Sequence, residues 1–194
     1  MTASAITQKP ITLPPVPELM ERHKVFIGIG SNIGDRLTHL QEAVNRLDLL
    51  KDTSVSAVSA LYLTEPVGET CQNRFYNGVV LLETALQPEE LRRQCKTIEQ
   101  ELGRPEGYAR WSPRVIDLDI LLYDDLCLST GTLSIPHKEV HRRKFVLIPL
   151  LDLANPLHPA MKQTMLQLLE QCSDRSVLIR IKETIRTKKR QAAR

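Results

Sequence analysis

Residues 115–123 read Val-Ile-Asp-Leu-Asp-Ile-Leu-Leu-Tyr, an apolar run in which two carboxylates, Asp117 and Asp119, stand two positions apart. In a β-strand, side chains at i and i+2 leave the same face about 7 Å apart, and Ile116, Leu118 and Ile120 leave the other. Such a strand needs a sheet with one face packed on a core and the other presenting two acids. Like charges this close on an apolar strand are costly unless cations compensate them, and hard divalent ions with oxygen ligands do so best. Arg110, Trp111 and Arg114 lie just upstream. Basic side chains beside a carboxylate pair suit a polyphosphate that arrives with Mg²⁺: the acids hold metal, the arginines hold phosphate oxygens, and the indole covers a base. An isolated Asp-x-Asp would also suit a salt-bridged sheet edge; the flanking Arg-Trp-x-Pro-Arg argues against that simpler reading.

With 194 residues and 42% hydrophobic content, the chain can form one domain with a real core and hardly two. Its formal charge of +3 is uneven: residues 180–194 hold seven of the 26 basic residues and one acid, whereas residues 25–179 hold 16 basic and 20 acidic residues. The body is mildly acidic, so sequence-independent nucleic-acid binding is not expected. Cys71, Cys95, Cys127 and Cys172 are scattered, without Cys-x-x-Cys or zinc-like His spacing, which suits reduced thiols in the cytoplasm. The first 24 residues carry Pro10, Pro14, Pro15 and Pro17 and lack the apolar stretch of a secretory signal. They read as a disordered Pro-rich lead. An acid-free stretch from Met1 to Pro17 leaves an organellar transit peptide open, although its Arg-rich amphipathic pattern is missing. The longest apolar run, Phe145 to Leu151, is too short to span a bilayer, so no membrane partner is expected.

Organisation follows from periodicity. Val25 to Gly30 predicts a strand, and Ile33, Leu37, Leu40, Val44 and Leu47 then recur at helical spacing. Thr53 to Leu63 and Phe75 to Thr84 predict two further strands, with Pro66 and Gly68 breaking the loop between them. Pro88 opens a second helix that buries Leu91, Cys95, Ile98 and Leu102 and ends at Gly103, and Val115 to Tyr123 is the fourth strand. This α+β order, βαββαβ, is that of a ferredoxin-like sandwich: an antiparallel sheet with both helices on one face and the other face free for a ligand. A helix over Met161 to Cys172 and a short strand over Ser176 to Ile181 extend it. The expected boundaries are a lead over 1–24, a main domain over 25–172, and a short extension with a basic tail over 173–194. Gly28-Ile-Gly30-Ser-Asn-Ile-Gly34 follows a strand and opens a helix, but its last glycine is one residue too far along for a dinucleotide fingerprint, and doubly wound alternation is absent. A structural role for Gly30-Ser31-Asn32 at the tight helix entry is expected instead.

Seven motifs stand in order: Gly30-Ser31-Asn32-x-Gly34-Asp35, Thr64-Glu65-Pro66-x-Gly68, Phe75-x-Asn77, Gly103-Arg104, Arg110-Trp111-x-Pro113-Arg114-x-x-Asp117-x-Asp119, Pro136-His137 and Arg143-x-Phe145-Val146-Leu147. Over residues 25 to about 160 the chain resembles the 6-hydroxymethyl-7,8-dihydropterin pyrophosphokinases of folate biosynthesis. The resemblance implies that the β,γ-pyrophosphoryl unit of ATP passes intact to the pterin hydroxymethyl oxygen and AMP leaves. It implies two Mg²⁺ ions on Asp117 and Asp119, and Arg104 and Arg114 on the phosphates during transfer. ATP would be held by His137 and Arg143, with Glu99, Ile120 and Ser134 beside it and Trp111 on a loop that closes over it. The pterin would lie between Phe75 and Phe145, read by Asn77, with Thr64, Pro66 and Val67 completing the pocket. A monomer is expected, with ATP and the dihydropterin as its partners.

The residues taken singly support less. Arg104 could be a surface charge complementing a helix dipole, His137 a turn histidine, Arg143 one of the solvated run Arg142-Arg143-Lys144, and either phenylalanine a core residue; the family pattern separates these readings. Asn77 is harder to assign to packing, because an amide in mid-strand is disfavoured and can read the donor-acceptor edge of a planar ring. Two departures from the usual pattern stand out. Gly103-Arg104-Pro105-Glu106 lacks the second arginine of Gly-Arg-x-Arg, and Ser112 replaces a glycine. Two rival readings are an RNA-recognition module, whose signature the third strand lacks, and a two-metal phosphohydrolase.

Overall fold

The computed structural model of the chain describes residues 21–66, 72–105, 107 and 112–187. The lead up to residue 20, the tail from residue 188, and Val67, Gly68, Cys71, Glu106, Arg110 and Trp111 lie outside the described residues. Strand β1 (His23–Ser31) sends Val25, Ile27 and Ile29 to one face, and Phe26, Gly28 and Gly30 to the other. After Gly34, which holds φ +61°, α1 (Arg36–Asp48) starts on an Asp35 cap whose carboxylate accepts from Thr38 N and Thr38 Oγ1. Its stripe Leu40, Ala43, Val44 and Leu47 is buried.

The strand expected over Thr53 to Leu63 is two: β2 (Thr53–Val58) and β3 (Tyr62–Thr64). Pairing slips one residue between Val55 and Ala57, and Ser59 then bonds Val79 through both its backbone N–H and its Oγ, which takes the chain out of the first register. Next come β4 (Phe75–Thr84), α2 (Pro88–Glu101) and β5 (Asp117–Tyr123), close to expectation. A hairpin of β6 (Leu128–Ser129) and β7 (Ser134–Ile135), helices α3 (Lys144–Leu151) and α4 (Met165–Gln171), and β8 (Leu178–Arg180) complete the chain.

The main sheet runs β5-β1-β4-β3-β8, with β2 also on β4, and its pairings are antiparallel. Helices α1 and α2 pack on the face carrying Val25, Ile27, Ile29, Val80, Leu118 and Ile120. The opposite face, expected to be open, is covered in part: α3 and α4 bury Val146, Leu147, Leu150, Met165 and Leu168 against Phe26, Val79 and Leu121. Among the described residues, the part around Gly28, Gly30, Asn77, Asp117 and Asp119 is left uncovered and lines a cleft. The extension after residue 172 joins the same body, since β8 pairs with β3 and Ile185 is buried in the main core. Among the described residues, no helix is long and apolar enough to cross a membrane.

Candidate active site

Strand register assembles the site. Gly30 lies opposite Asp117 on one neighbour and Asn77 on the other, and Gly28 lies opposite Asp119 and Val79. Two residues without side chains thus floor the space between the acids of β5 and the amide of β4. A Cβ on Gly30 would come within 2.7 Å of Asn77 Oδ1, so this strand glycine is required by close approach. The expected role at a helix entry belongs instead to Gly34 and Asp35; Gly30 and Ser31 are still strand. The resulting cleft measures about 680 Å³ and rounds the outer edge of β5 toward α2 and the β6–β7 hairpin.

The two aspartates share a face but not an environment. Asp117 accepts from Arg104 Nη1 at 2.6 Å and from Arg114 Nη1 at 2.8 Å. Burial pushes its carboxyl up, but Arg114 and Arg104 outweigh that and hold it below the ordinary aspartate value. Asp119 has no hydrogen-bond or ion-pair partner among the described residues; burial, and then the Asp117 charge, hold its carboxyl above the ordinary value. Arg104 is held from behind. Glu99, 2% exposed, accepts from Arg104 at 2.8 Å, from Lys96 Nζ at 2.9 Å and from the Leu118 N–H of β5 at 2.7 Å. Burial raises the Glu99 carboxyl despite the two cations beside it. A chain of alternating charge therefore runs Lys96, Glu99, Arg104, Asp117, Arg114 from α2 to the cleft.

Across the glycine floor, Asn77 donates from Nδ2 to Thr64 Oγ1 at 2.7 Å, and both residues are buried. Phe75 is half-buried, with the Arg114 guanidinium 5.6 Å from its ring. Phe145 faces the same cleft from the first turn of α3, with the Arg143 guanidinium 5.6 Å from its ring. Asn32, 1% exposed, ties the two sides together: Oδ1 accepts from Arg114 N at 2.7 Å, and Nδ2 donates to Gln72 Oε1 and Asn73 O.

Thr64, Pro66, Phe75, Asn77, Arg114, Asp117, Asp119, Ser134, His137, Arg143 and Phe145 thus line one cavity. His137 Nδ1 accepts from Glu139 N at 3.2 Å, which ties that side of the ring to the turn after β7. Glu99 and Arg104 stand behind the wall, and the Ile120 side chain is buried in the helix-side core, so only its backbone borders the cleft. Val67 and Trp111 lie outside the described residues. Arg92, Lys96, Thr130, Thr132 and Lys138 also line the cleft. Arg92 and Lys96, four apart on α2, carried a legible signal as a basic pair on one helix face; the hairpin threonines carried none. Thr130 and Thr132 both donate to Glu89 Oε1, which fixes the hairpin tip to the start of α2.

A model of the family described as 7,8-dihydro-6-hydroxymethylpterin-pyrophosphokinase (HPPK) matches residues 26–155. A Pseudomonas aeruginosa 2-amino-4-hydroxy-6-hydroxymethyldihydropteridine pyrophosphokinase is 39% identical over 77% of this chain and 91% of its own length. The folic acid synthesis protein fol1 of Schizosaccharomyces pombe is 40% identical over 78% of this chain, which spans only 21% of that longer protein. A crystal structure of wild-type Plasmodium falciparum HPPK-DHPS with pterin and p-hydroxybenzoate shares the fold, with a TM-score of 0.61 at 17% identity over 80% of this chain and 42% of that one. Matched over most of its length by the family model and aligned along nearly the whole of a bacterial relative, the chain belongs to the HPPK family, the pyrophosphokinases of folate biosynthesis.

Proposed function

We propose that the cleft works as two adjoining subsites, with 6-hydroxymethyl-7,8-dihydropterin against β3 and β4 and ATP along β5. The observation that carries this reading is the register at Gly30, which sets Asn77 and Asp117 on either side of a residue with no side chain. The pterin hydroxymethyl group would thereby meet the phosphates over the glycine floor. Phe75 and Phe145 offer flat faces for the ring, and Asn77, its Nδ2 taken by Thr64, offers Oδ1 as an acceptor.

The β5 residues fit Mg²⁺, which the family's use of ATP implies. Magnesium takes one or two carboxylates and completes its shell with water and substrate phosphates, and Asp117 and Asp119 supply that donor set on one face. Asp119, which makes no ion pair among the described residues and is held up by burial and the Asp117 charge, has the greater need of such an ion. Bound there, two ions would neutralise charge on the triphosphate and bring it to the pterin. Arg114 stabilises charge on the travelling pyrophosphoryl group, and Arg104, gripped by Glu99, holds Asp117 in place. Transfer needs no strong base: the hydroxymethyl oxygen attacks the β-phosphorus, its proton passes to solvent, and the bond to the α-phosphate oxygen breaks to release AMP. Arg143 and His137 take the nucleotide at the β7–α3 side, with Ser134 nearby and the Ile120 backbone at the edge of β5.

On the same reading the scaffold is ferredoxin-like, supported by the βαββαβ order and the sheet order β5-β1-β4-β3. We take the domain to run from 25 through 187, past the boundary at 172, and the protein to act as a monomer in the cytoplasm without nucleic acid. The test is a product assay: AMP should form only when ATP, Mg²⁺ and the dihydropterin are all present. ADP or phosphate formed without pterin would instead indicate a phosphohydrolase.

A further inference from the structure

Strand β3, which carries Thr64, is only three residues long and is separated from β2 by the Ser59 break. A strand this short at a sheet edge is weakly held. It is not at the edge, because β8 pairs along its whole length: Tyr62 with Arg180, Leu63 with Ile179 and Thr64 with Leu178. The segment after β8 is anchored too. Ile181 N–H donates to Leu61 O, Ile185 is 3% exposed in the core, and the Arg186 backbone exchanges two hydrogen bonds with the Gln41 amide of α1. All of this lies beyond residue 155, where the family match ends.

We propose that β8 is a positioning strand for the pterin subsite: by making β3 an internal strand it fixes Thr64, and through Thr64 the Asn77 amide. The inference rests on the reading of Phe75 and Asn77 as the pterin side of the cleft. Its selectivity follows from topology. Strand β8 closes one edge of the sheet and β5, with Asp117 and Asp119, closes the other, so loss of β8 should reach the pterin side and spare the nucleotide side.

The ladder supplies a paired test. In an antiparallel pair, bonded and non-bonded positions alternate. Because Ile181 bonds Leu61, the next bonded pair is Ile179 with Leu63, and the Arg180 N–H points to the outer edge. Ile179→Pro therefore removes a donor to β3, and Arg180→Pro leaves that ladder intact. In the full chain, the dihydropterin is titrated with a non-hydrolysable ATP analogue and Mg²⁺ present, and the analogue is titrated separately. Ile179→Pro should weaken pterin about tenfold with the analogue's affinity unchanged, and Arg180→Pro should match the parent. Undiminished pterin affinity in Ile179→Pro, equal loss in both proline variants, or equal loss of both ligands would overturn the inference. If Ile179→Pro does not fold, Ile185→Ala, which loosens the anchor, carries the test: a smaller loss confined to pterin supports the inference, and no loss or a matched loss of ATP overturns it. Asn77→Ala separates the two readings. If it leaves pterin binding intact, the subsite assignment itself fails and takes the inference with it; if it weakens pterin binding while Ile179→Pro and Ile185→Ala do not, only the inference fails.

Discussion

At the scale of single residues, period-two spacing makes Asp117 and Asp119 look equivalent, and the structure makes them different. The i, i+2 rule depends only on strand geometry, so their shared face was legible in the sequence. What each acid touches depends on residues brought in from α2 and from the segment before β5, which spacing cannot reveal. Relief of like charge alone would leave the stability of either alanine variant unchanged or raised. The contacts separate them. Asp117→Ala takes an acceptor from both Arg114 and Arg104, the latter keeping Glu99 and Ile116 O, and should cost about 1–3 kcal/mol in urea unfolding, the range for losing a partly buried charged contact. Asp119→Ala removes a buried carboxylate that has no hydrogen-bond or ion-pair partner among the described residues, and should leave stability unchanged or slightly raised. Both should lose pyrophosphoryl transfer at saturating Mg²⁺, and near-normal turnover in either would contradict its role in holding metal. Glu99 illustrates the same limit. It is expected beside ATP from the second helix, and in the structure its oxygens accept from Lys96, Arg104 and the Leu118 N–H.

Among elements, those with a clear period were legible and those without one were not. The stripes of α1 and α2 and the alternation of β1, β4 and β5 placed these elements within a few residues. Helix α3 escaped because Lys144–Leu151 is apolar around its whole circumference and contains Pro149, so no face stands out. With α4, that helix covers part of the face expected to be open, and it brings Phe145 to the cleft. Strand β1 gives a sharp prediction, since its two cleft-facing glycines differ in what a methyl group would meet. At Gly28 the nearest atoms are the ends of the Leu121 side chain at 3.3 Å, which can yield; at Gly30 the nearest is Asn77 Oδ1 at 2.7 Å, held by Thr64. Gly30→Ala should weaken pterin binding by about tenfold or more, the cost of displacing a buried hydrogen-bonded amide. Gly28→Ala should change it little. Separate titration of pterin in the two variants decides, and equal effects would place the pterin elsewhere.

For the whole molecule, the segment after α3 folds back on the start of α4 and holds His158 at 6% exposure, with Nδ1 accepting from Met161 N and the His141 ring 6.1 Å away. Burial first, and then His141, lowers the His158 pKa, so the folded state favours the neutral ring. The stability this contributes is complete above the unfolded value of about 6.5 and is lost as pH falls from there through the lowered folded value, because the unfolded chain takes up the proton first. The urea midpoint should therefore fall between about pH 7.5 and 5.5, and the fall should be shallower in His158→Asn; an unchanged slope would show that His158 is not responsible. Nothing in a single sequence marks this histidine, since its burial arises only when the segment around residue 158 folds back on α4. The account of the whole molecule turns on the fate of the phosphates. With ATP labelled at the γ-phosphorus, Mg²⁺ and 6-hydroxymethyl-7,8-dihydropterin, the label should appear in a pterin diphosphate, matched mole for mole by unlabelled AMP. Label recovered as inorganic phosphate, or in a pterin monophosphate alongside ADP, would contradict it.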